Sequence, residues 1–456
     1  MQLAPDLDAQ LTARVQAPDF ARWRENVIGA GGCSHPIHLA GQWSVTHKTT
    51  GDVLAQRSGR IFAPCGTRRA AVCPSCADRY AADAFHLLRA GLAGDAAKNI
   101  PASVASKPRM FLTLTAPSFG PVHRNGGRCP CGGFHRPDDS RLGTAVNLDA
   151  YDYEGAILWQ ANAGKLWHRF TITLKRKLAQ AAGFPVSQFT QHARLSYAKV
   201  AEYQRRGLVH FHAVIRVDGP DGPADPTPAW ATPDLLTEVI ATAARSVTVM
   251  TCRPGGEVLD LVWGKQIDIR AIRPGNASEV EDGDGEISDA RLASYVAKYA
   301  TKSTGTTQGG DRPLRSQLDI DHLSGITAHH RRMIQTAWDL GGNPLYDGLN
   351  LRRWAHMLGF RGHFLTKSRR YSTTFKAIRG TQADYRRSEA LDRLGVTEDD
   401  VTVINHWQFL AVGYADEAER ELAAGIAERI REHRKAKHDK ERRDSERAAR
   451  KENDHA

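Results

Sequence analysis

The feature that most constrains this chain is the stretch from Glu202 to Ile215, EYQRRGLVHFHAVI. Residues 195–204 and 208–217 are both rich in β-branched and aromatic side chains with a period near two, which predicts two strands. The Arg205-Arg206-Gly207 sequence between them fits a three-residue hairpin loop that ends in a left-handed glycine. We therefore expect an antiparallel hairpin near the centre of the fold.

The predicted hairpin brings three metal-ligating side chains together. Side chains alternate between the faces of a strand, so His210 and His212 share one face while Phe211 points to the other. The loop length places Glu202 opposite His210 on the neighbouring strand. Two imidazoles and a carboxylate suit a divalent metal that keeps positions open for water or a phosphate oxygen. The alternative is that the two histidines are simply half-buried, which is the commoner role of an isolated H-x-H.

A second stretch supports the metal interpretation. Residues 295–302, YVAKYATK, follow a predicted strand at 266–272 and an acidic loop, and a helix over 289–302 would carry them. At 100° per residue, one arc of about 100° on this helix would hold four side chains, which are Tyr295, Lys298, Tyr299 and Lys302. A metal that polarises a phosphodiester, tyrosines that attack it and lysines that balance its charge together make one reaction.

The chain resembles HUH endonucleases in three motifs. These are the strand FLTLT (residues 111–115), the His-Phe-His strand and the YxxKYxxK helix. Within that superfamily the sequence is similar to rolling-circle replication initiators, and its paired tyrosines resemble those of the A proteins of small single-stranded DNA phages. Along most of its length it resembles the initiators of actinobacterial plasmids and integrative elements, including CGTRRAAVCPSC (residues 65–76) and RGHFLTKSRRYS (residues 361–372).

The resemblance implies a metal-dependent, site-specific DNA endonuclease and strand transferase that starts rolling-circle replication. Mg²⁺ or Mn²⁺ bound by His210, His212 and Glu202 would polarise the scissile phosphate. The expected partners are single-stranded and duplex origin DNA, with the host replication helicase and polymerase. Two alternatives stay open, a relaxase for conjugal mobilisation and a non-catalytic zinc-containing DNA-binding regulator.

The same resemblance assigns the covalent chemistry to the tyrosine motif. Tyr295 heads the motif and is the expected first nucleophile, which leaves a free 3′-OH primer and a 5′-phosphotyrosine link. Tyr299, one turn later, could attack in the cleavage that ends a round, or could only shape the pocket. Free tyrosine has a pKa of about 10, so positive charge must favour its oxyanion, and Lys298 and Lys302 could supply that charge.

The cysteines predict a structural zinc site near the N-terminus. Cys73 and Cys76 form a CPxC knuckle that suits tetrahedral Zn²⁺, and Cys65 and Cys33 would complete a four-thiolate set. Closely spaced cysteines without a signal peptide favour metal binding over disulfides. The alternative is that Cys33 is merely buried and a histidine takes its place.

A second Cys/His cluster lies in a Pro/Gly-rich insertion at residues 117–152. Its four potential ligands are His123, Cys129, Cys131 and His135. Two thiolates and two imidazoles could bind a second zinc, but the spacing is irregular and equally consistent with no metal.

Charge and aromatic content point to a nucleic-acid partner. The 62 Lys and Arg exceed the 51 acidic residues, for a net charge of +11, which suits a polyanion. Arg68 and Arg69 flank the cysteine knuckle, and a basic, aromatic segment at 352–371 suits single strands. Its predicted contacts are Arg361, Lys367, Arg369, Arg370 and Tyr371, unless it is an ordinary basic surface. Lacking a signal peptide or a long apolar run, the chain is expected to be cytoplasmic in a bacterium, with no membrane partner.

The order of predicted elements is strand, helix, two antiparallel strands, helix, strand, helix. It indicates an α+β fold, an antiparallel sheet with helices packed against it. We expect an N-terminal zinc-binding region (1–105) that begins with one amphipathic helix over 1–30, and a nickase domain (106–305). A mostly helical C-terminal part follows, made of a DNA-binding region (306–414) with a helix at 322–340 and a charged helical tail (415–456). The tail is expected to fray and to attract DNA without sequence preference.

Overall fold

A computed structural model describes residues 6–273, 287–288, 292–293 and 313–453. The chain divides into two compact units, of which unit 1 comprises Met1–Tyr80 with Arg379–Ala456 and unit 2 comprises Ala81–Ile378. These boundaries differ from the predicted ones at 105, 305 and 414. The C-terminal segment joins unit 1 because Ile37–His47 pairs with Val401–Val412. In the described ranges no helix is long and apolar enough to cross a membrane.

The secondary structure elements are numbered here in chain order. The helices are α1 (Leu7–Gln16), α2 (Phe20–Gly29), α3 (Pro74–Ala93), α4 (Tyr153–Ala181), α5 (Phe189–His192), α6 (Pro233–Ser246), α7 (Gln317–Asp321), α8 (Ala328–Leu340), α9 (Leu351–Trp354), α10 (Phe375–Arg393) and α11 (Glu417–Asn453). The strands are β1 (Ile37–His47), β2 (Val53–Ala63), β3 (Arg109–Leu114), β4 (Arg194–Tyr203), β5 (Val209–Asp218), β6 (Val249–Cys252), β7 (Val258–Leu261), β8 (Ile267–Arg273), β9 (Ile287–Ser288), β10 (Leu365–Lys367) and β11 (Val401–Val412).

Unit 2 is built on a six-stranded sheet with the order β10-β4-β5-β3-β8-β9. Its neighbours are antiparallel except for β8 and β9, which are parallel. Helix α4 carries a buried apolar stripe, and it joins α6 and alternate strand residues in one large core. The predicted α+β class, with helices packed on an antiparallel sheet, is confirmed.

The hairpin β4–β5 has the predicted register. Glu202 pairs with His210, and the Gln204 amide donates to the Leu208 carbonyl across the loop at 2.9 Å. Gly207 has φ +78, and a Cβ there would lie 2.7 Å from the Met333 sulfur. The left-handed conformation and the close approach of α8 both require glycine at this position.

Unit 1 contains a three-stranded antiparallel sheet, β11-β1-β2, that the sequence interpretation missed. The C-terminal part is mostly helical, as predicted, but it also contains strands β10 and β11, which the prediction did not include. The single helix predicted over 1–30 is also wrong, because α1 ends at Gln16 and α2 starts at Phe20, after Pro18. A proline inside a helix removes a backbone donor and clashes with the preceding turn.

The charged tail is packed over its first turns. Ala423 and Ile426 of α11 form a small core with Trp23 and Val27 of α2, so this part of the helix belongs to unit 1 instead of fraying. The helix predicted at 322–340 begins later, at Ala328, because the Thr327 side chain caps it by accepting from the His330 amide.

Candidate metal centre

Three donor atoms converge where the hairpin emerges from the sheet. The Glu202 carboxylate oxygen lies 2.7 Å from His210 Nε2 and 3.2 Å from His212 Nε2, and the two Nε2 atoms are 3.0 Å apart. Donor atoms bound at right angles to one octahedral ion, each about 2.1 Å away, are separated by about 3.0 Å. The three donor atoms therefore fit three adjacent coordination positions on one side of a single divalent ion.

The surroundings of His212 orient it as a ligand. Its ring is almost fully buried, stacks on Phe111 and meets the Thr113 hydroxyl at Nδ1, 3.0 Å away. If the hydroxyl accepts the Nδ1 proton, Nε2 keeps a lone pair directed at the shared point. Histidine ligands of metals almost always have such a partner on the other ring nitrogen. Thr115, two residues further along, bonds the Gln266 carbonyl instead.

The hairpin loop is held rigidly by buried groups. The Gln160 side chain of α4 donates to the Gly207 carbonyl and accepts from the Val209 amide, both at 3.0 Å. On the other side His329 Nε2 lies 3.3 Å from the Arg206 carbonyl, and its Nδ1 lies 2.8 Å from the Tyr153 hydroxyl. Burial lowers the pKa of His329 to about 4, so this histidine is neutral at physiological pH. These contacts fix the strands that carry the donor atoms.

A cavity of about 800 Å³ opens beside the hairpin loop. Its lining includes Arg205, Arg206 and Lys265, with Thr115 at the end of β3 and residues of the insertion. The Arg206 guanidinium also donates to the Ala116 and Pro117 carbonyls at 2.7 and 2.9 Å. The cavity thus combines fixed cationic groups with a position next to the metal-ligating strands, which suits a phosphate backbone.

Four cysteines of unit 1 form a second constellation. Cys33, Cys65, Cys73 and Cys76 each place a sulfur within 4.8 Å of the others, and the measured Cys33–Cys73 and Cys33–Cys76 sulfur distances are 3.8 and 3.7 Å. Sulfurs bound to one tetrahedral Zn²⁺ at about 2.3 Å are about 3.8 Å apart. Hydrogen bonding with the Cys33 and Cys76 thiols holds the pKa of Cys73 well below its usual range, and the thiolate is the form that binds metal. Cys33 itself supplies the fourth sulfur of this group, and the nearby His38 ring stacks on Phe62.

The predicted DNA contacts have mixed outcomes. The ring of Tyr371 is fully buried and its hydroxyl donates to the Leu88 carbonyl, which contradicts its predicted contact with DNA. Lys367 is half-buried, and its ammonium binds carbonyls of its own loop, including that of Ser372 at 3.0 Å. The other predicted contacts have partly or fully exposed side chains, and DNA binding by them stays a prediction, namely Arg68, Arg69, Arg361, Arg369 and Arg370.

The tyrosine motif lies outside the described residues, so the structure does not place its predicted catalytic side chains. These are Tyr295, Lys298, Tyr299 and Lys302. Other relevant residues were missed by sequence reasoning, namely Gln160, Lys265 and His329. Nothing in their local sequence distinguishes them from core or surface residues. Gln160 and His329 acquire their positions through contacts with the hairpin loop, which is distant in sequence, and Lys265 lines the cavity.

The hairpin and its donor atoms define the chain as an α+β protein with a candidate divalent metal centre on an antiparallel sheet. Residues 19–428 match the protein family described as "Replication initiator protein, pSAM2". A protein of Streptomyces ambofaciens named replication initiator protein is 44% identical to this chain over 443 residues, covering 94% of each. The chain therefore belongs to this replication initiator family. No solved structure is significantly similar to it.

Proposed function

We propose that this chain initiates rolling-circle replication by nicking one strand of origin DNA through the HUH endonuclease reaction. The observation that carries the proposal is the convergence of Glu202, His210 and His212 on one face of a rigid hairpin. A regulator that only binds DNA would not need two imidazoles and a carboxylate converging on one point next to the cationic hairpin loop. Membership of a replication initiator family supports an origin as the target and favours replication over conjugal transfer.

The reaction divides between the metal centre and the tyrosine motif. A divalent ion, Mg²⁺ or Mn²⁺, would polarise the scissile phosphate when bound to Glu202 and the two histidines. The Tyr295 oxygen forms a bond to phosphorus as the bond to the 3′ oxygen breaks. The tyrosine gives up its proton, and the 3′ oxygen leaves as a hydroxyl that primes a polymerase. Lys298 and Lys302 favour the phenolate by their charge.

The described residues position this chemistry. Thr113 orients His212, and the Gln160 side chain fixes the hairpin loop that carries Arg205 and Arg206. Single-stranded DNA enters the cavity with its backbone against Arg205 and Lys265. The four cysteines bind a zinc ion that stabilises unit 1, a role in which the metal contributes directly to folding. The host helicase and polymerase then act on the nicked origin in the cytoplasm.

The test uses the full chain, Mn²⁺ and a single-stranded origin oligonucleotide labelled at either end. With a 5′ label, denaturing electrophoresis should show a shortened free fragment. With a 3′ label, the product should migrate slowly because it is joined to protein. Tyr295→Phe should abolish both products while DNA binding persists, and the exposed Tyr385→Phe should behave like the unmodified protein.

A histidine pair provides the matching control for the metal. His212→Ala should abolish cleavage, whereas His168→Ala, an exposed histidine of α4, should leave it unchanged. Cleavage by His212→Ala at the normal rate would show that the reaction does not use this metal centre. A protein that binds the origin but never forms the adduct under any of these conditions would favour a non-catalytic regulator instead.

A further inference from the structure

The insertion at 117–152 contains a third group of metal-ligating atoms, separate from the Glu202 group and the four-cysteine group. His123 Nδ1 lies 3.1 Å from His135 Nε2 and 3.7 Å from the Cys129 sulfur, and the Cys131 sulfur lies 3.3 Å from His135 Nε2. In a tetrahedral zinc site, two nitrogens are about 3.3 Å apart and a sulfur and a nitrogen are about 3.6 Å apart. The four residues are irregularly spaced in the sequence, but the distances between their donor atoms are those of a zinc site.

Two features around the cluster are typical of a built metal site. His135 is almost fully buried, and its other ring nitrogen, Nδ1, lies 2.8 Å from the Asp139 carboxylate. A carboxylate behind a histidine ligand fixes the ring and raises its basicity toward the metal. Cys129 is buried in a tight turn that is closed by hydrogen bonds with Gly132 and Gly133.

The insertion has little else to hold it together. Between residues 117 and 152 the structure contains no helix or strand, only an isolated bridge between Val122 and Ala145. Its buried apolar side chains before Tyr151 are few, chiefly Leu142. Long segments without regular structure are uncommon in compact domains unless something orders them, and a bound metal can supply that free energy.

The insertion is also docked against the hairpin loop. Gly143 has φ +87, and a Cβ on it would lie 2.6 Å from the Arg205 carbonyl carbon, while the Arg205 guanidinium donates to the Pro137 carbonyl at 3.1 Å. Val122 and Gly143 form part of the lining of the 800 Å³ cavity. The segment that the four ligands organise is therefore a wall of that cavity.

We propose that His123, Cys129, Cys131 and His135 bind one Zn²⁺, and that this ion fixes the insertion as a wall of the cavity beside the hairpin loop. Two thiolates and two imidazoles select zinc over the hard cations that suit the Glu202 centre. The proposal does not depend on the nicking reaction, since it concerns metal content and order.

The first measurement is zinc per chain by mass spectrometry of the purified full-length protein. Cys129→Ser with Cys131→Ser should lose one equivalent relative to the unmodified chain, whether or not the four-cysteine site is also loaded. Cys252→Ser is the matched control, because this half-buried cysteine of unit 2 belongs to no described ligand group, and it should lose none. Equal zinc in the double variant and the control would overturn the site.

The second measurement separates binding from a general loss of folding. His135→Cys preserves four ligands and should retain the ion, whereas His135→Ala should lose it. Trypsin should cut the double variant rapidly at exposed arginines of the insertion, such as Arg124 and Arg128, and should cut the unmodified and His135→Cys proteins slowly. Zinc loss without faster cleavage there would overturn the ordering role, and a Cys129–Cys131 disulfide in the purified protein would overturn the site itself.

Discussion

The contact between the Thr113 hydroxyl and His212 Nδ1 leads to a quantitative prediction about the metal centre. Thr113→Val keeps the shape of the side chain but leaves the buried Nδ1 of His212 without the hydroxyl that lies 3.0 Å away. The ring loses the contact that directs its Nε2 lone pair toward Glu202 and His210. Removing a partner of this kind costs about 10- to 100-fold in metal affinity, which is about 1.4 to 2.8 kcal/mol.

Thr115→Val is the matched control for this substitution. Thr115 is also largely buried and follows Thr113 by two residues, but its hydroxyl donates to the Gln266 carbonyl at 2.8 Å and touches no ligand. Both variants exchange a hydroxyl for a methyl group in the same part of the sheet. Any general destabilisation should therefore be similar, and only Thr113→Val should weaken the metal centre.

The assay is a Mn²⁺ titration in which the electron paramagnetic resonance signal measures the free ion. The thiolate sites are loaded with zinc beforehand. The Mn²⁺ concentration that gives half-maximal oligonucleotide cleavage should rise by a similar factor in Thr113→Val. The reasoning is refuted if Thr113→Val binds Mn²⁺ as tightly as the unmodified protein, or if Thr115→Val weakens binding equally.

Three further predictions concern other parts of the chain. Burial lowers the pKa of Lys199, whose ammonium lies 4.0 Å from the centroid of the Phe211 ring, to about 7. The unfolded chain therefore binds more protons from about pH 7 to 10.5. The cost of burying this lysine is fully present below about pH 7, falls as the pH rises and disappears above pH 10.5. Lys199→Met should raise the urea midpoint, measured by tryptophan fluorescence, clearly more at pH 7 than at pH 9.5, and an equal gain at both would contradict this. Lys265→Ala should weaken single-stranded DNA binding and reduce the slope of log K against log salt concentration by about 0.7. Lys376→Ala, at an exposed lysine, serves as the comparison. Equal slopes in the two variants would argue against DNA in the cavity. Cys73→Ser should lower the zinc content by one ion per chain and raise protease sensitivity within unit 1. An unchanged zinc content would contradict this prediction.

The sequence predicted the hairpin because the information for it is local. A period of two, a glycine with positive φ and the loop length together determine that Glu202 faces His210. The pairing of β1 with β11 could not be predicted in the same way. The two strands lie at opposite ends of the chain, and the sequence pattern of one does not identify the other as its partner. Nonlocal pairing is set by the whole fold, and short-range periodicity does not contain it.

Burial of single residues was the other limit. Tyr371 stands in a basic, aromatic segment that suits DNA binding, yet its ring packs near the buried Arg216 guanidinium, 5.5 Å away. Composition indicates which chemistry a segment offers but not the side to which each ring turns. The insertion at 117–152 was limited by spacing. Its four potential ligands are irregularly spaced in the sequence, and their donor atoms come close together only through turns that the sequence pattern does not specify.

The discontinuity of unit 1 has a consequence for how the protein is made. Strand β1 and the four cysteines leave the ribosome early, but strand β11 and helix α11, which complete the unit, are synthesised last. Unit 2 is continuous in sequence, so it has all its strands before the partner of β1 exists. Domains generally fold as units during synthesis, and contacts between distant segments form late. A polypeptide released before residue 401 would lack the third strand of the unit 1 sheet, so this sheet is completed only after strand β11 has been synthesised.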